Sequence, residues 1–179
     1  MKTYILLLRG VMPTGKNKVP MAQLRQVLSD HGFDKVRTWI QSGNVLLKSG
    51  LSAKELEEQV RMLIKEHIGP DLAIVARTGD EIRQLIDGNP FRGEAHDIAR
   101  VFYVSFQEPP PEDKLQHLLA QDFSPEKLHI NGMAGYLYIP HTYGSGKLSN
   151  NFLERKLGVA ATTRNFNTLS KMIQWSEEK

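Results

Sequence analysis

TYILLLR, residues 3–9, is the stretch that decides the fold. A near-continuous apolar run of this length is typical of a central β-strand that is covered on both faces. The run is far too short to cross a membrane, and no small-residue cleavage site follows it, so we predict neither a membrane span nor a signal peptide. Arg9 and Gly10 end it abruptly, which indicates a strand that stops at a loop.

The chain beyond this strand alternates helical and strand patterns in a specific order. Pro20 begins a helical pattern that Gly32 ends, and Ser52 with Glu55 forms a capping box that opens a second helix. The strand patterns lie at 36–40, 45–48 and 72–76, with a polar hairpin loop at 41–44. The first half therefore reads β-α-β-β-α-β, the order of a ferredoxin-like unit.

The second half repeats the same order after one additional short helix, which Thr78 and Glu81 open as a capping box. Strand patterns are expected at 98–106, 127–130, 136–139 and 160–163, and helices around 115–119, at 150–157 and from about 167. We predict an α+β fold of two ferredoxin-like halves, each an antiparallel sheet with helices packed on one face, plus a C-terminal helix. The predicted subdomains are residues 1–78 and 79–179.

Composition excludes several classes of function. The chain has 179 residues, 40% hydrophobic and 24% charged, as in a soluble globular protein. It contains no cysteine, which rules out disulfides, zinc–thiolate sites and a cysteine nucleophile and fits a cytoplasmic location. The six histidines have no metal-ligand spacing, so we predict no metal and no cofactor.

Positive charge is concentrated near the two ends of the chain, although the net charge is only +3. Residues 1–20 contain no acid, and residues 141–175 contain only Glu154. The basic residues of these regions are Lys2, Arg9, Lys16, Lys18, Lys147, Arg155, Lys156, Arg164 and Lys171. This distribution favours an anionic partner, either a small molecule or a nucleic acid.

The C-terminal run HTYGSGKLSNNFLERKLGVAATTRNFNTLSKM, residues 141–172, contains a glycine-rich turn and two helix starts. The turn resembles the end of a phosphate-binding loop, but the first glycine of that motif is replaced by His141, and Leu148 follows Lys147. A nucleotide-hydrolysing loop is therefore not predicted. A looser anion site at Lys147 and the 150–157 helix start is the alternative we favour, while Ser149 alone is interpreted as a helix cap.

Arg9 ends a buried strand, and two readings of it remain open. It either pairs with a carboxylate such as Glu154, or it lies in an exposed anion site with Lys16 and Lys18. The two lysines are equally compatible with a solvated charge run.

Other polar residues are candidate ligands for the same anion. Arg164 suits phosphate or carboxylate because its guanidinium donates two parallel hydrogen bonds, and Asn165 follows it. Either Asn165 or Asn167 is also expected to cap the terminal helix. Gln41 and Ser42 are further candidates, although a hairpin turn explains their neighbours.

Four stretches together resemble the mainly bacterial domain of unknown function 1697 family: LLLRGVMPTGKNKVPM, WIQSGNVLL, YGSGKLSNNFLERKLG and ATTRNFNTLSKM. The family usually has an asparagine, a valine and two glycines after the Arg-Gly, where this chain has Val11 to Gly15. The resemblance implies a two-subdomain α/β fold and no established activity.

Function is therefore predicted from the residues. The first hypothesis is binding of a phosphate-bearing or other anionic ligand, a nucleotide or nucleic acid, in a basic cleft between the halves. The predicted ligand-binding residues are Arg9, Lys16, Lys18, Gln41, Ser42, Lys147, Arg164 and Asn165. The alternatives are a small enzyme that uses the cleft, with His141 or Tyr143 transferring protons, and an interaction module without a ligand. The sequence predicts no membrane partner and leaves open whether the chain forms a homo-oligomer.

Overall fold

The structure is a computed structural model that describes residues 1–178. The described chain contains two series of strands and helices that follow one another in the predicted order. The elements are β1 (Lys2–Leu8), α1 (Met21–Asp30), β2 (Asp34–Trp39), β3 (Asn44–Ser49), α2 (Ala53–His67), β4 (Ile74–Arg77), α3 (Gly79–Asp87), a 3-10 turn (Ile98–Arg100), β5 (Val101–Phe106), α4 (Glu112–Leu119), β6 (Lys127–Asn131), β7 (Ala134–Tyr138), α5 (Asn150–Leu157), β8 (Ala161–Asn165) and α6 (Phe166–Glu177).

The first sheet has the strand order β2-β3-β1-β4, with every neighbouring pair antiparallel. Leu6 pairs with Val45 on one side and with Ala76 on the other, so β1 is central, as its apolar sequence predicts. This is the ferredoxin-like arrangement, and it confirms the predicted fold for the first half.

One face of this sheet forms the first hydrophobic core. Tyr4, Leu6 and Leu8 alternate along β1 and therefore lie on the same face. They pack with Leu24 of α1 and Val60 of α2, and all five side chains are buried. The apolar residues of α1 and α2 are spaced so that each helix presents one apolar stripe to the sheet. Burial of these stripes holds both helices against the sheet.

Capping boxes begin α2 and α3. The Ser52 hydroxyl accepts a hydrogen bond from the Glu55 backbone, and the Glu55 carboxylate accepts one from the Ser52 backbone. Thr78 and Glu81 exchange the same pair of bonds. Both capping boxes predicted from the sequence are confirmed.

The second sheet has the strand order β6-β7-β5-β8 and is also wholly antiparallel. Its core contains Val104 and Phe106 of β5 with Leu137 of β7, and α5 contributes Leu153 and Leu157. Two ferredoxin-like halves and a C-terminal helix, the predicted α+β fold, are therefore present.

The start of β5 differs from its predicted position for a local reason. The pattern predicts β5 from residue 98, but Ile98–Arg100 form a 3-10 turn and the strand starts at Val101. The Asp97 side chain accepts a hydrogen bond from the Ala99 backbone N–H, which favours a turn over extended backbone.

Contacts divide the described chain into two compact units. The first contains residues 1–83 and 170–178, and the second contains residues 84–169. In the first unit, Trp175 of α6 meets Trp39 edge-on at 5.4 Å between ring centroids, and the Arg37 guanidinium lies 3.8 Å from the Trp175 ring centroid. Within residues 1–178, no helix combines the length and apolar character that a membrane crossing requires.

Candidate functional site

The glycine-rich turn at 144–148 already binds a carboxylate of the protein itself. Oε2 of Glu126 accepts hydrogen bonds from the backbone N–H groups of Lys147 at 3.1 Å and Leu148 at 3.0 Å. Glu126 is buried, with 5% of its surface exposed. Two N–H groups of the kind that a phosphate uses in a phosphate-binding loop are therefore occupied by this carboxylate.

The start of α5 is satisfied in a similar way. The Ser149 hydroxyl accepts from the Phe152 N–H at 3.2 Å, which confirms its predicted role as the cap. The Tyr143 hydroxyl accepts from the Asn150 N–H at 2.9 Å, and its ring lies 4.6 Å from that of Phe102. The structure thus gives Tyr143 a contact that holds the helix start.

A surface pocket of about 510 Å3 lies beside this turn, within the second unit. Three of its lining residues are cations, and none is acidic. We call it the basic pocket; it is lined by Gln121, Gly146, Lys147, Ser149, Asn151, Phe152, Arg155 and Lys156. Because like charges in one pocket repel each other, an anion placed there lowers the electrostatic energy of all three cations.

Phe152 supplies an apolar, aromatic surface in the basic pocket. Its ring lies edge-on to Phe123, with 5.8 Å between centroids and an interplanar angle of 82°. The Arg155 guanidinium and the Lys156 ammonium lie 5.7 and 5.8 Å from its ring centroid. Both cations are thus held close to one aromatic ring, a distance at which the ring quadrupole attracts them.

Two smaller pockets border the basic pocket. One of about 340 Å3 shares Gln121 and Lys156 with it, and one of about 210 Å3 shares Gly146 and Lys147. Asp122 lines the pocket of about 210 Å3. The Ser124 backbone N–H and hydroxyl hydrogen-bond the Asp122 carboxylate and lower its pKa, and Lys147 lowers it further.

His141 also lines the pocket of about 210 Å3. Its Nε2 atom lies 3.3 Å from Oε1 of Glu126, the same carboxylate that the turn binds. Arg100 donates a hydrogen bond to the His141 carbonyl oxygen at 3.2 Å. The imidazole is therefore fixed at the rim of a pocket, with about a third of its side chain exposed (34%).

Arg164 and Asn165 are the last two residues of β8, in the second unit. Arg164 is opposite Tyr103 in the sheet and donates to the Thr163 carbonyl oxygen at 3.0 Å. Burial lowers the pKa of its guanidinium to about 10, so it remains a cation at neutral pH. The Asn165 side chain accepts from the Thr168 N–H at 2.9 Å, and Asn165 is thus the predicted cap of α6.

Arg9, Lys16 and Lys18 belong to the first unit, in the loop after β1. This loop folds back on itself, because the Met12 N–H donates to the Asn17 carbonyl at 2.9 Å and the Lys18 N–H donates to the Gly15 carbonyl at 3.2 Å. Arg9 is half-buried, whereas Lys16 and Lys18 are exposed.

Gln41 and Ser42 form part of the turn between β2 and β3, also in the first unit. Gly43 of this turn lies against the end of β1, since its carbonyl oxygen accepts from the Leu8 N–H at 2.8 Å. The Ser42 hydroxyl accepts from the buried Asn44 amide at 2.9 Å. The first unit therefore brings this turn next to the strand end that precedes Arg9.

Sequence reasoning missed the roles of Glu126, Arg155 and Lys156. The two cations were visible as charges at the end of a predicted helix, and the adjacent aromatic Phe152 was the signal that could have singled them out. No local signal marks Glu126, because it contacts residues about 20 positions later in the chain. Among residues 1–178, no group of three or more His, Asp or Glu side chains is arranged to hold a metal ion.

Comparison with known proteins identifies the family. The chain resembles the conserved bacterial protein SP0830 from Streptococcus pneumoniae, with a TM-score of 0.72, 24% sequence identity and coverage of 98% of each chain, a likeness that shows the fold alone. No curated protein matches the chain. The model of the family described as "Protein of unknown function (DUF1697)" matches residues 1–136. Because that match spans more than half of the 179 residues, the chain belongs to the DUF1697 family.

Proposed function

We propose that this protein binds a phosphate-bearing ligand, and that the basic pocket of the second unit is where the phosphate is held. The observation that carries the proposal is the lining of that pocket, which contains the three cations Lys147, Arg155 and Lys156 and no acidic residue. The proposal does not rely on a helix N-terminus, since Ser149 and Tyr143 accept hydrogen bonds from the first turn of α5.

The three cations differ in what they offer a phosphate. A guanidinium donates two parallel hydrogen bonds to neighbouring phosphate oxygens, whereas an ammonium acts as a mobile point charge. Arg155 is thus expected to orient the phosphate, and Lys147 and Lys156 to neutralise it. Each charge-assisted hydrogen bond contributes about 1.5–3 kcal/mol.

A nucleotide fits this pocket better than inorganic phosphate. The volume of about 510 Å3 lies within the range of roughly 300–1,000 Å3 that small-molecule sites occupy. Phe152 offers an aromatic edge or face against which a base can stack, and such stacking contributes about 1–3 kcal/mol. We therefore infer a mononucleotide or the end of a single-stranded nucleic acid, in a cytoplasm whose reducing conditions suit a chain without cysteine.

The proposal retains the expectation, made from the sequence, that Arg9, Lys16 and Lys18 help to bind the same ligand in a cleft between the halves. That expectation has its own test. The double variant Lys16→Ala/Lys18→Ala will weaken binding if the loop contributes, and will leave binding unchanged if the basic pocket acts alone.

A thermal-shift experiment with four probes tests the function: sodium pyrophosphate, ADP, adenosine and the oligonucleotide dT10. A ligand at 100 times its dissociation constant stabilises the native state by about 2.7 kcal/mol and raises the melting temperature measurably. We expect a shift with ADP and pyrophosphate and none with adenosine, because phosphate supplies most of the binding energy. No shift with any phosphate-bearing probe at millimolar concentration would refute the proposal.

A further inference from the structure

Three side chains of the second unit form a continuous chain of polar contacts next to the pocket of about 210 Å3. Oε1 of Glu126 lies 3.3 Å from Nε2 of His141, and Nδ1 of the same ring lies 2.8 Å from the Ser145 hydroxyl. Ser145 is exposed, His141 is half-buried and Glu126 is buried. An exposed hydroxyl, an imidazole and a buried carboxylate in this sequence are the parts of a serine hydrolase triad.

The buried carboxylate favours one tautomer of His141. Oε2 of Glu126 accepts from two backbone N–H groups, whereas Oε1 has no hydrogen-bond partner within residues 1–178 and lies 3.3 Å from Nε2 of His141. A buried acceptor without a donor is costly, and this cost favours the tautomer in which Nε2 carries the hydrogen and directs it at Oε1. In that tautomer Nδ1 is unprotonated and can accept the Ser145 hydroxyl proton, the role of a general base; the Thr142 carbonyl oxygen, 3.2 Å from Nδ1, favours the other tautomer.

Gly146 allows the backbone of the turn to pass close to the side chains of Glu126 and His141. A Cβ atom at Gly146 would overlap Oε1 of Glu126 and would lie 2.8 Å from Cε1 of His141. The backbone N–H of the residue that follows a nucleophile is a common oxyanion donor. Here that residue is Gly146, whose N–H makes no hydrogen bond in the described part of the chain.

We propose that Ser145, His141 and Glu126 form a catalytic triad that hydrolyses small carboxylic esters. The Ser145 oxygen attacks the carbonyl carbon while its proton moves to Nδ1 of His141. The bond to the leaving alcohol then breaks, and the proton passes from His141 to the departing oxygen. Water, deprotonated by His141, next attacks the acyl carbon. The bond from that carbon to the Ser145 oxygen breaks, His141 returns the proton to that oxygen, and the acid is released. Glu126 is the positioning residue, since it fixes the tautomer and does not touch the substrate.

The Ser145 hydroxyl has a competing acceptor in the ground state. It lies 2.7 Å from the carbonyl oxygen of Thr142, so its proton is shared between that oxygen and His141. A hydroxyl that rotates between two acceptors remains available to a base, because each rotation requires only a turn about one bond.

The test is covalent labelling with a fluorophosphonate probe, in which serine displaces fluoride, followed by intact-mass and peptide analysis. We expect one adduct per chain, at Ser145, and none in Ser145→Ala. The control Ser29→Ala alters an exposed serine elsewhere and should label like the wild type. Labelling of His141→Ala should slow about 100-fold or more, the scale of general-base catalysis, and added imidazole should restore part of the rate.

Glu126→Gln separates positioning from packing, since its side chain has the same size. Nitrogen-15 NMR of the histidine rings should show His141 protonated at Nε2 in the wild type and at Nδ1 in Glu126→Gln. The probe should also label Glu126→Gln more slowly than the wild type. A wild-type chain that takes no label overturns the proposal. So does labelling of Ser145 that proceeds equally fast in His141→Ala.

Discussion

The Oε2 atom of Glu126 lies 3.1 Å from the backbone nitrogen of Lys147, so the glycine-rich turn of this protein is closed around a carboxylate of its own. The same carboxylate accepts from the Leu148 N–H, and Leu148 is completely buried. The backbone of the turn is therefore a structural anion site. The side chains of Lys147, Arg155 and Lys156, rather than that backbone, provide the positive charge of the basic pocket.

Removal of this carboxylate should destabilise the second unit. In Glu126→Ala, the partly buried N–H group of Lys147 and the buried N–H group of Leu148 lose their acceptor, and we expect the free energy of unfolding to fall by about 1–3 kcal/mol. Urea denaturation measures it. The control Glu94→Ala removes an exposed acid of the same unit and should change stability by less than about 0.5 kcal/mol. Equal losses in the two variants would contradict the assignment.

Gly43 has two reasons to be glycine, and a matched variant separates them. Its φ of +80° is strained for any other residue, and a Cβ there would lie 2.7 Å from Cβ of Leu8 and 2.8 Å from Cγ2 of Val11. Gly15 has nearly the same φ, +81°, with nothing within 4 Å of its Cβ position. We expect Gly43→Ala to cost about 1–3 kcal/mol more than Gly15→Ala, because only the former overpacks its neighbours. Denaturation midpoints that coincide would refute the close approach of this turn to β1.

Acid should weaken the first unit through Asp71. Hydrogen bonds from Arg61 and Lys65 lower the pKa of this carboxyl from 3.8 to about 2. Because the pKa is lower in the folded state, the ionised group stabilises the fold above its unfolded pKa, and this contribution is lost as pH falls toward 2. Asp71→Asn should therefore be less stable than the wild type at pH 6, and the difference should shrink by pH 2.

The Arg61→Ala background provides the control for that pH dependence. Without Arg61, its main partner, the Asp71 carboxylate contributes less to stability. Asp71→Asn should therefore change stability less in the Arg61→Ala background. Urea titrations from pH 6 to pH 2 compare the four proteins. A difference between wild type and Asp71→Asn that is independent of pH would contradict the ion-pair account.

The fold could be predicted because its signals are local. The apolar run of β1, the two capping boxes and the hydrophobic periodicity of each helix and strand lie within a few residues of the elements they specify. The strand order then follows from the β-α-β-β-α-β sequence of elements. The start of β5 could not be placed, because one Asp97 side-chain bond converts the first residues into a turn.

The candidate site was predictable only in part. Lys147 was expected as an anion ligand from its glycine-rich neighbourhood, and it lines the basic pocket. Arg155 and Lys156 line the same pocket, although they lie near the end of α5 and Lys147 lies in the turn before that helix begins. Glu126 depends on a contact across 21 positions, which no local pattern encodes.

Calorimetric titration of ADP into two charge-matched double variants tests the central claim most directly. Arg155→Ala/Lys156→Ala removes two cations from the basic pocket, and Lys2→Ala/Lys54→Ala removes two exposed lysines of the first unit. Both lose the same formal charge, so a general electrostatic effect changes them equally. We predict that the dissociation constant rises at least about 10-fold in the pocket variant, which corresponds to the loss of one charge-assisted hydrogen bond. In the control variant it should stay within about 2-fold of the wild-type value. Equal affinities in the two variants would contradict the account.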